Sequence, residues 1–255
     1  MARSPRIQYY GAIYHIIHEG KGNIFNGDED KIKLLEIIEG VKANSDFLLL
    51  AYSILDNRYD FLVKCHNIPI SKSMQRINMA YTKYFNSKYK RKGTPYKDRY
   101  KSIVVENENH MLNYIWEIHR IPLVKGLVDN VEEYKWTSDA LYKFNVESIV
   151  DVGYVLNDLD EDRFKAIKEY TKLMKSDNIY INKDKDNDNY NYLDGILRDI
   201  CKNEMDFYLI KNGSRKAYLR NLKKEYVIRS KKWGYKTCEI GENIGITARA
   251  IRKYL

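Results

Sequence analysis

Two hydrophobic periods alternate along this chain, one of about two residues and one of three to four, and they mark out its elements. Gly11 to His18 reads as a first strand and Gly20, Gly22 and Asn23 as a turn. Asp28 is the expected cap of a helix running to about Lys42, with Leu34, Leu35, Ile38 and Val41 as its buried stripe. Phe47 to Ile54 and Tyr59 to Cys65 read as strands around the turn-favouring pair Asp56-Asn57, which predicts a hairpin. A second helix follows Pro69, from Ser71 to about Tyr89, with Met74, Ile77, Tyr81, Tyr84 and Phe85 at helical spacing and Gly93 as its end. Lys101 to Val105 is the next strand, and Glu108 to Arg120 a third helix stopped near Pro122. The order βαββαβα predicts an α+β, ferredoxin-like domain over residues 1–143.

Residues 144–191 read as a connector. Asn145 to Ser176 is predicted helical, with Phe164, Ile167, Thr171 and Met174 as its stripe, and a polar linker follows. Residues 192–255 form an all-helical domain ending in a predicted helix-turn-helix: Thr237 to Gly245 and Thr247 to Tyr254, joined at Gly245, with Thr237 and Thr247 as N-caps. Ile240, Ile244, Ile246 and Ile251 are expected to face inward. Arg249, Arg252 and Lys253 share an exposed face.

Charge sharpens that picture. The chain carries a formal +9, and its segment from Lys211 to Leu255 holds 13 Lys or Arg against three glutamates, which points to a polyanionic partner, nucleic acid before membrane. Arg215, Lys216, Arg220, Lys223 and Lys224 are expected phosphate contacts there, with Thr247, Arg249, Arg252 and Lys253 at the reading helix. Arg76, Lys90, Arg91 and Arg99 are further DNA-contact candidates in the first domain, together with Lys83, Lys88, Lys97 and Lys101. Three scattered cysteines, Cys65, Cys201 and Cys238, give neither a disulfide framework nor a zinc site. No apolar run is long enough to span a bilayer, so a cytoplasmic, nucleoid-associated protein is expected.

The candidate chemistry centres on Leu55 to Lys64, LDNRYDFLVK, where strand alternation places Arg58, Asp60 and Leu62 on one face and Tyr59, Phe61 and Val63 on the other. This run, with YYGAIYHIIHEG (9–20), NIF (23–25), MQRIN (74–78), YFN (84–86), DRYKSIVVEN (98–107) and IHRIPLVKGLV (118–128), resembles the REP-associated branch of the single-strand tyrosine transposases. The match fades after Lys135-Trp136-Thr137-Ser138. The resemblance implies a ferredoxin-like catalytic domain in which a His-hydrophobic-His pair and a helix asparagine hold a divalent metal while a helix tyrosine attacks a phosphodiester. It places Arg58 and Asp60 at the histidine positions, Glu117 at the tyrosine and Ile121 at the asparagine.

A guanidinium repels a divalent cation and isoleucine offers no donor, so no metal and no cofactor are expected and the inherited mechanism is predicted absent. An ion pair between Arg58 and Glu117 is expected in its place. His119 is read as a hydrogen-bonded structural residue, and His15, His18, His66 and His110 show no metal spacing. The segment from Ile196 onward resembles, more weakly, the DNA-binding domain of replication initiators.

The predicted function is a catalytically inactive, sequence-specific DNA-binding protein that regulates transcription, with a homodimer on duplex DNA carrying an inverted repeat as the expected assembly. A single-stranded hairpin remains open as a partner. Two alternatives stand beside this reading: a metal-dependent transposase or endonuclease using Tyr114 as displaced nucleophile, and an RNA-binding protein.

Overall fold

A computed structural model describes residues 9–66, 68–105, 111–176, 192–201, 203–232 and 235–255. The chain divides into two compact units, one of residues 13–188 and one of residues 1–12 with 189–255.

The first unit is built on a four-stranded antiparallel sheet. Its strands are β1 (Ile13–Glu19), β2 (Phe47–Leu55), β3 (Arg58–Cys65) and β4 (Lys101–Val105), in the order β2-β3-β1-β4. Helices α1 (Asp28–Lys42), α2 (Ile70–Tyr89) and α3 (Met111–Val124) complete the expected βαββαβα order of an α+β ferredoxin-like fold. β2 and β3 turn at Asp56-Asn57 with Leu55 opposite Arg58. One sheet face meets α2, where Tyr59 donates its hydroxyl to Asn78 at 2.7 Å, and the other meets α3, which lies on β2 and β3.

Residues 134–138 cover the outer edge of β2, with Ile54 N–H donating to Trp136 O and Ser138 N–H to Tyr52 O. Beyond them come α4 (Asp139–Lys143), α5 (Val152–Leu159) and α6 (Arg163–Lys175). Asp151 anchors this segment to the sheet by accepting from Leu49 N–H at 2.9 Å and Lys42 Nζ at 2.6 Å.

Several boundaries differ from the sequence expectation for local reasons. Gly27, not Asp28, occupies the N-cap of α1, and Asp30 supplies the carboxylate that takes the Asn26 N–H. Lys90, in a left-handed conformation, closes α2 before Gly93 is reached. α3 runs through Pro122 because the proline sits within its last turn, where one missing N–H breaks little; Gly126 then closes it, with Leu127 N–H on Pro122 O and Gly126 N–H on Leu123 O. The predicted start at Glu108 lies outside the described residues.

The continuous helix expected from Asn145 is two helices, since Asp162 caps α6 by accepting from Phe164 N–H and Lys165 N–H and forces a break before it. Its buried stripe is Ala166, Tyr170 and Met174, while Phe164 is 87% exposed.

The second unit packs α7 (Tyr192–Ile200), α8 (Glu204–Lys211), α9 (Arg220–Lys232), α10 (Thr237–Asn243) and α11 (Ala248–Ile251), the last running into a single 3-10 turn over Arg252–Tyr254. Ile196, Leu197, Ile210, Val227, Ile240, Ile244 and Ile251 form its core. Asp194 links three helices by accepting from Lys211 at 2.7 Å and Asn243 at 2.8 Å, and Tyr226 donates to Asn243 at 2.7 Å. The start of the chain belongs to this unit: Tyr10 donates its hydroxyl to Asp199, and the Tyr9 ring lies 5.8 Å from that of Tyr235.

Thr247 caps α11 as expected, accepting from Ala250 N–H at 3.3 Å. Lys236 rather than Thr237 takes the N-cap position of α10, its N–H satisfied by the Glu239 carboxylate at 2.7 Å. Ile246 is only half-buried.

Candidate functional site

Strand pairing sets Ile17 opposite Asp60 and Glu19 opposite Arg58, so the β1 residues His15, Ile17 and Glu19 share the face of Arg58 and Asp60. Asp60 does not look out of the sheet: it is 0% exposed, and both its oxygens are occupied. Arg58 grips it bidentately, Nε to Oδ2 and Nη2 to Oδ1, each at 2.6 Å, and His15 Nε2 lies 2.9 Å from Oδ1. Glu19 adds a looser contact to Arg58 at 3.7 Å. Hydrogen bonding to Asp60 is the largest influence on the guanidinium and raises its pKa above an already high ordinary value.

The expected Arg58–Glu117 pair does not form. Glu117 is exposed on α3, whereas Asp60, two residues along the same strand face, lies within reach of the Arg58 side chain. His15 is the member of this cluster that sequence spacing missed, because only the antiparallel register of β1 with β3 brings residues 45 apart together. Its ring also meets Tyr114 edge-on, with centroids 5.9 Å apart.

These residues do not suit the divalent metal that the family resemblance implies. The one buried carboxylate is saturated by Arg58 and His15, the guanidinium beside it repels a cation, and Ile121 has no donor. Among the described residues no group of three or more His, Cys, Asp or Glu side chains is placed to hold a metal ion.

His119, five residues after Tyr114 on α3, is part of a separate buried network. Ser138 Oγ lies 2.7 Å from its Nε2, and Tyr170 bridges its Nδ1 at 3.0 Å to Asp139 at 2.9 Å. Since Tyr170 gives its only proton to Asp139, His119 donates from Nδ1 and accepts at Nε2, which fixes a neutral tautomer. Burial drives its pKa down to about 4. Ser138 Oγ accepts the Tyr52 N–H and is itself buried, so the group is structural rather than nucleophilic.

Of the basic candidates in this unit, Arg76, Lys90, Arg91 and Arg99 are exposed. Lys88 is engaged internally, with Asp30 at 2.7 Å and Glu29 at 3.0 Å, and is withdrawn from the DNA-contact set on that ground. Lys97, Arg99 and Lys101 line a shallow cleft of about 90 Å³ with His18 and Glu19.

In the helical unit Arg249, Arg252 and Lys253 are exposed, but the element that presents them is shorter than expected: four α-helical residues and one 3-10 turn. Arg215, Lys216, Arg220, Lys223 and Thr247 line one cavity of about 570 Å³. Lys223 is not a surface lysine. It is 4% exposed, donates to Ser214 O, and has its pKa lowered by burial. Lys224 is exposed and outside the cavity.

No helix among the described residues is long and apolar enough to cross a membrane. No curated protein matches the chain. Among solved structures it is similar to a REP-associated tyrosine transposase bound to a REP hairpin, at 14% identity and a TM-score of 0.49, over 58% of this chain and 90% of that one. It is also similar to a transposase candidate from Deinococcus radiodurans R1, at 18% identity and a TM-score of 0.34, over 46% of this chain and 94% of the other. Residues 8–117 match the family described as "Transposase IS200 like". Those residues carry the entire four-stranded sheet.

Proposed function

We propose that this chain is a catalytically inactive relative of the IS200-like transposases that binds specific DNA through its C-terminal helical domain and regulates transcription. The observation that carries the inactive reading is the bidentate clamp of Arg58 on buried Asp60, which puts a fixed cation where the family resemblance calls for metal ligands. Glu117 at the tyrosine position and Ile121 at the asparagine position agree with it. The DNA-binding reading rests on the exposed Arg249, Arg252 and Lys253 beside the capped Thr247 turn, with Arg215, Lys216, Arg220 and Lys224 as surrounding backbone contacts. On this reading residues 192–255 carry recognition, residues 1–143 carry the former catalytic fold, and a homodimer faces an inverted repeat.

The test is selection of bound fragments from genomic DNA, offered as duplex and as folded single strands, to the full chain and to Arg249→Ala/Arg252→Ala. A palindromic duplex motif lost in the variant is the expected result. Hairpins enriched equally by both proteins would overturn recognition by the helical domain.

One observation favours a second reading: Tyr114 lies beside His15, which is bonded to Asp60. Strand transfer through Tyr114 requires a covalent protein–DNA adduct on hairpin substrates that disappears in Tyr114→Phe; its absence with Mg²⁺ or Mn²⁺ supplied removes that reading.

A further inference from the structure

We propose that the cavity between the α8–α9 loop and the α10–α11 turn is a built phosphate-binding site, filled in the DNA complex by one backbone phosphate beside the reading turn. The inference rests on the DNA-binding reading above and narrows it from a basic surface to one pocket.

Four cations, Arg215, Lys216, Arg220 and Lys223, converge on this space against one carboxylate, Glu242. Among the described residues none of the four has a carboxylate partner, so their charge is left for a ligand. Three are exposed, and the fourth, Lys223, is buried and donates to the Ser214 backbone carbonyl. An anion entering here meets a partly dehydrated ammonium and two guanidinium groups able to bond it bidentately, an arrangement suited to phosphate oxygens.

The walls are held in place by backbone packing. Gly213 closes α8 and Gly245 closes α10, both with positive φ (69° and 64°) and both with their N–H on the carbonyl three residues back. They lie against each other so closely that a Cβ on Gly213 would come within 2.8 Å of Gly245 O. The loop bearing Arg215 and Lys216 is therefore locked to the turn that sets Thr247 and the start of α11. Thr247 and Ala250 line the cavity while Arg249 points to solvent from the same turn. A phosphate seated in the cavity consequently lies next to the element that reads bases, which favours a DNA backbone phosphate over a free one.

The test titrates the full chain with labelled duplexes of several sequences across a salt series. The proteins are wild type, Arg220→Ala, Arg215→Ala/Lys216→Ala, and Lys232→Ala as an exposed lysine outside the cavity. All substituted side chains are exposed, so folding should be retained, with melting temperature as the check. Arg220→Ala is expected to weaken every duplex by a similar factor, on the order of tenfold, and to reduce the salt slope by about one, with specificity preserved. Lys232→Ala should change both less, and inorganic pyrophosphate should compete with duplex for wild type but not for Arg220→Ala. An Arg220→Ala salt slope equal to wild type would overturn the site.

Pyrophosphate also separates this proposal from the reading it rests on. If wild type binds no duplex, that reading fails, and pyrophosphate stabilisation lost in Arg220→Ala would overturn the backbone source and assign the cavity to a free phosphorylated ligand. Neither duplex binding nor stabilisation would overturn the site in both forms.

Discussion

The two units treat positive charge differently. In the sheet unit the partly buried cations are neutralised internally, Arg58 by Asp60, Lys42 by Asp151, Lys88 by Asp30 and Lys143 by Asp139, while Arg76, Lys90, Arg91 and Arg99 stay exposed. In the helical unit Lys211 and Arg229 are paired, but Arg215, Lys216, Arg220, Lys224, Arg249 and Arg252 have no carboxylate partner among the described residues. A paired charge contributes to its own fold, while an unpaired exposed one is available to a polyanion. The sheet unit pairs its partly buried cations, whereas the helical unit leaves most of its own without a carboxylate among the described residues.

Four perturbations test this contrast, from the largest effect to the smallest. Asp60→Ala leaves Arg58 without its buried counter-charge and His15 without its hydrogen-bond partner, so a loss of about 3–5 kcal/mol is expected in denaturant unfolding of the full chain. A loss under 1 kcal/mol would mean that the clamp is not structural.

Acidification probes the same unit through His119. Its folded pKa of about 4 lies below the ordinary 6.5 because burial disfavours the imidazolium, so below pH 6.5 the unfolded chain takes up a proton that the folded one refuses. Stability should fall between about pH 6.5 and pH 4, by on the order of 3 kcal/mol, and this contribution should be constant outside that window. His119→Asn should flatten that part of the pH profile even though it lowers stability at neutral pH.

Gly241→Ala addresses the helical unit, since a Cβ there would meet Ile246 O at 2.5 Å and force α10 from the turn before α11. A cost of about 1–3 kcal/mol, read as a lower melting temperature, with weaker duplex binding is expected. Phe164→Ala should change stability by less than about 0.5 kcal/mol because the ring is in solvent.

The element order was legible because strand and helix periods differ and because Asp56-Asn57 and Thr247 carry strong local signals. Lys101 to Val105 matches its predicted bounds, for the same reason. Phe164 misled because a three-to-four spacing can be drawn through more than one side of a helix, and only packing against α4 and α5 selects Ala166, Tyr170 and Met174. The shared face of Arg58 and Asp60 followed from strand alternation, but the partner of Arg58 did not. Choosing between Asp60 and Glu117 needs the position of α3, and finding His15 needs the register of β1, neither of which is a local property. Likewise Lys223 reads as one lysine among many until its burial beneath the cavity is known.

The placement of Tyr9 and Tyr10 in the helical unit bears on the order of assembly during synthesis. Tyr10 and Asp199 are bonded across 189 positions, and the sheet unit lies between them in the chain. A ribosome therefore releases the opening residues long before their partners exist, and the sheet unit can close while they wait. Such a contact forms late and at high loop-closure cost, so the helical unit completes its packing after the sheet unit.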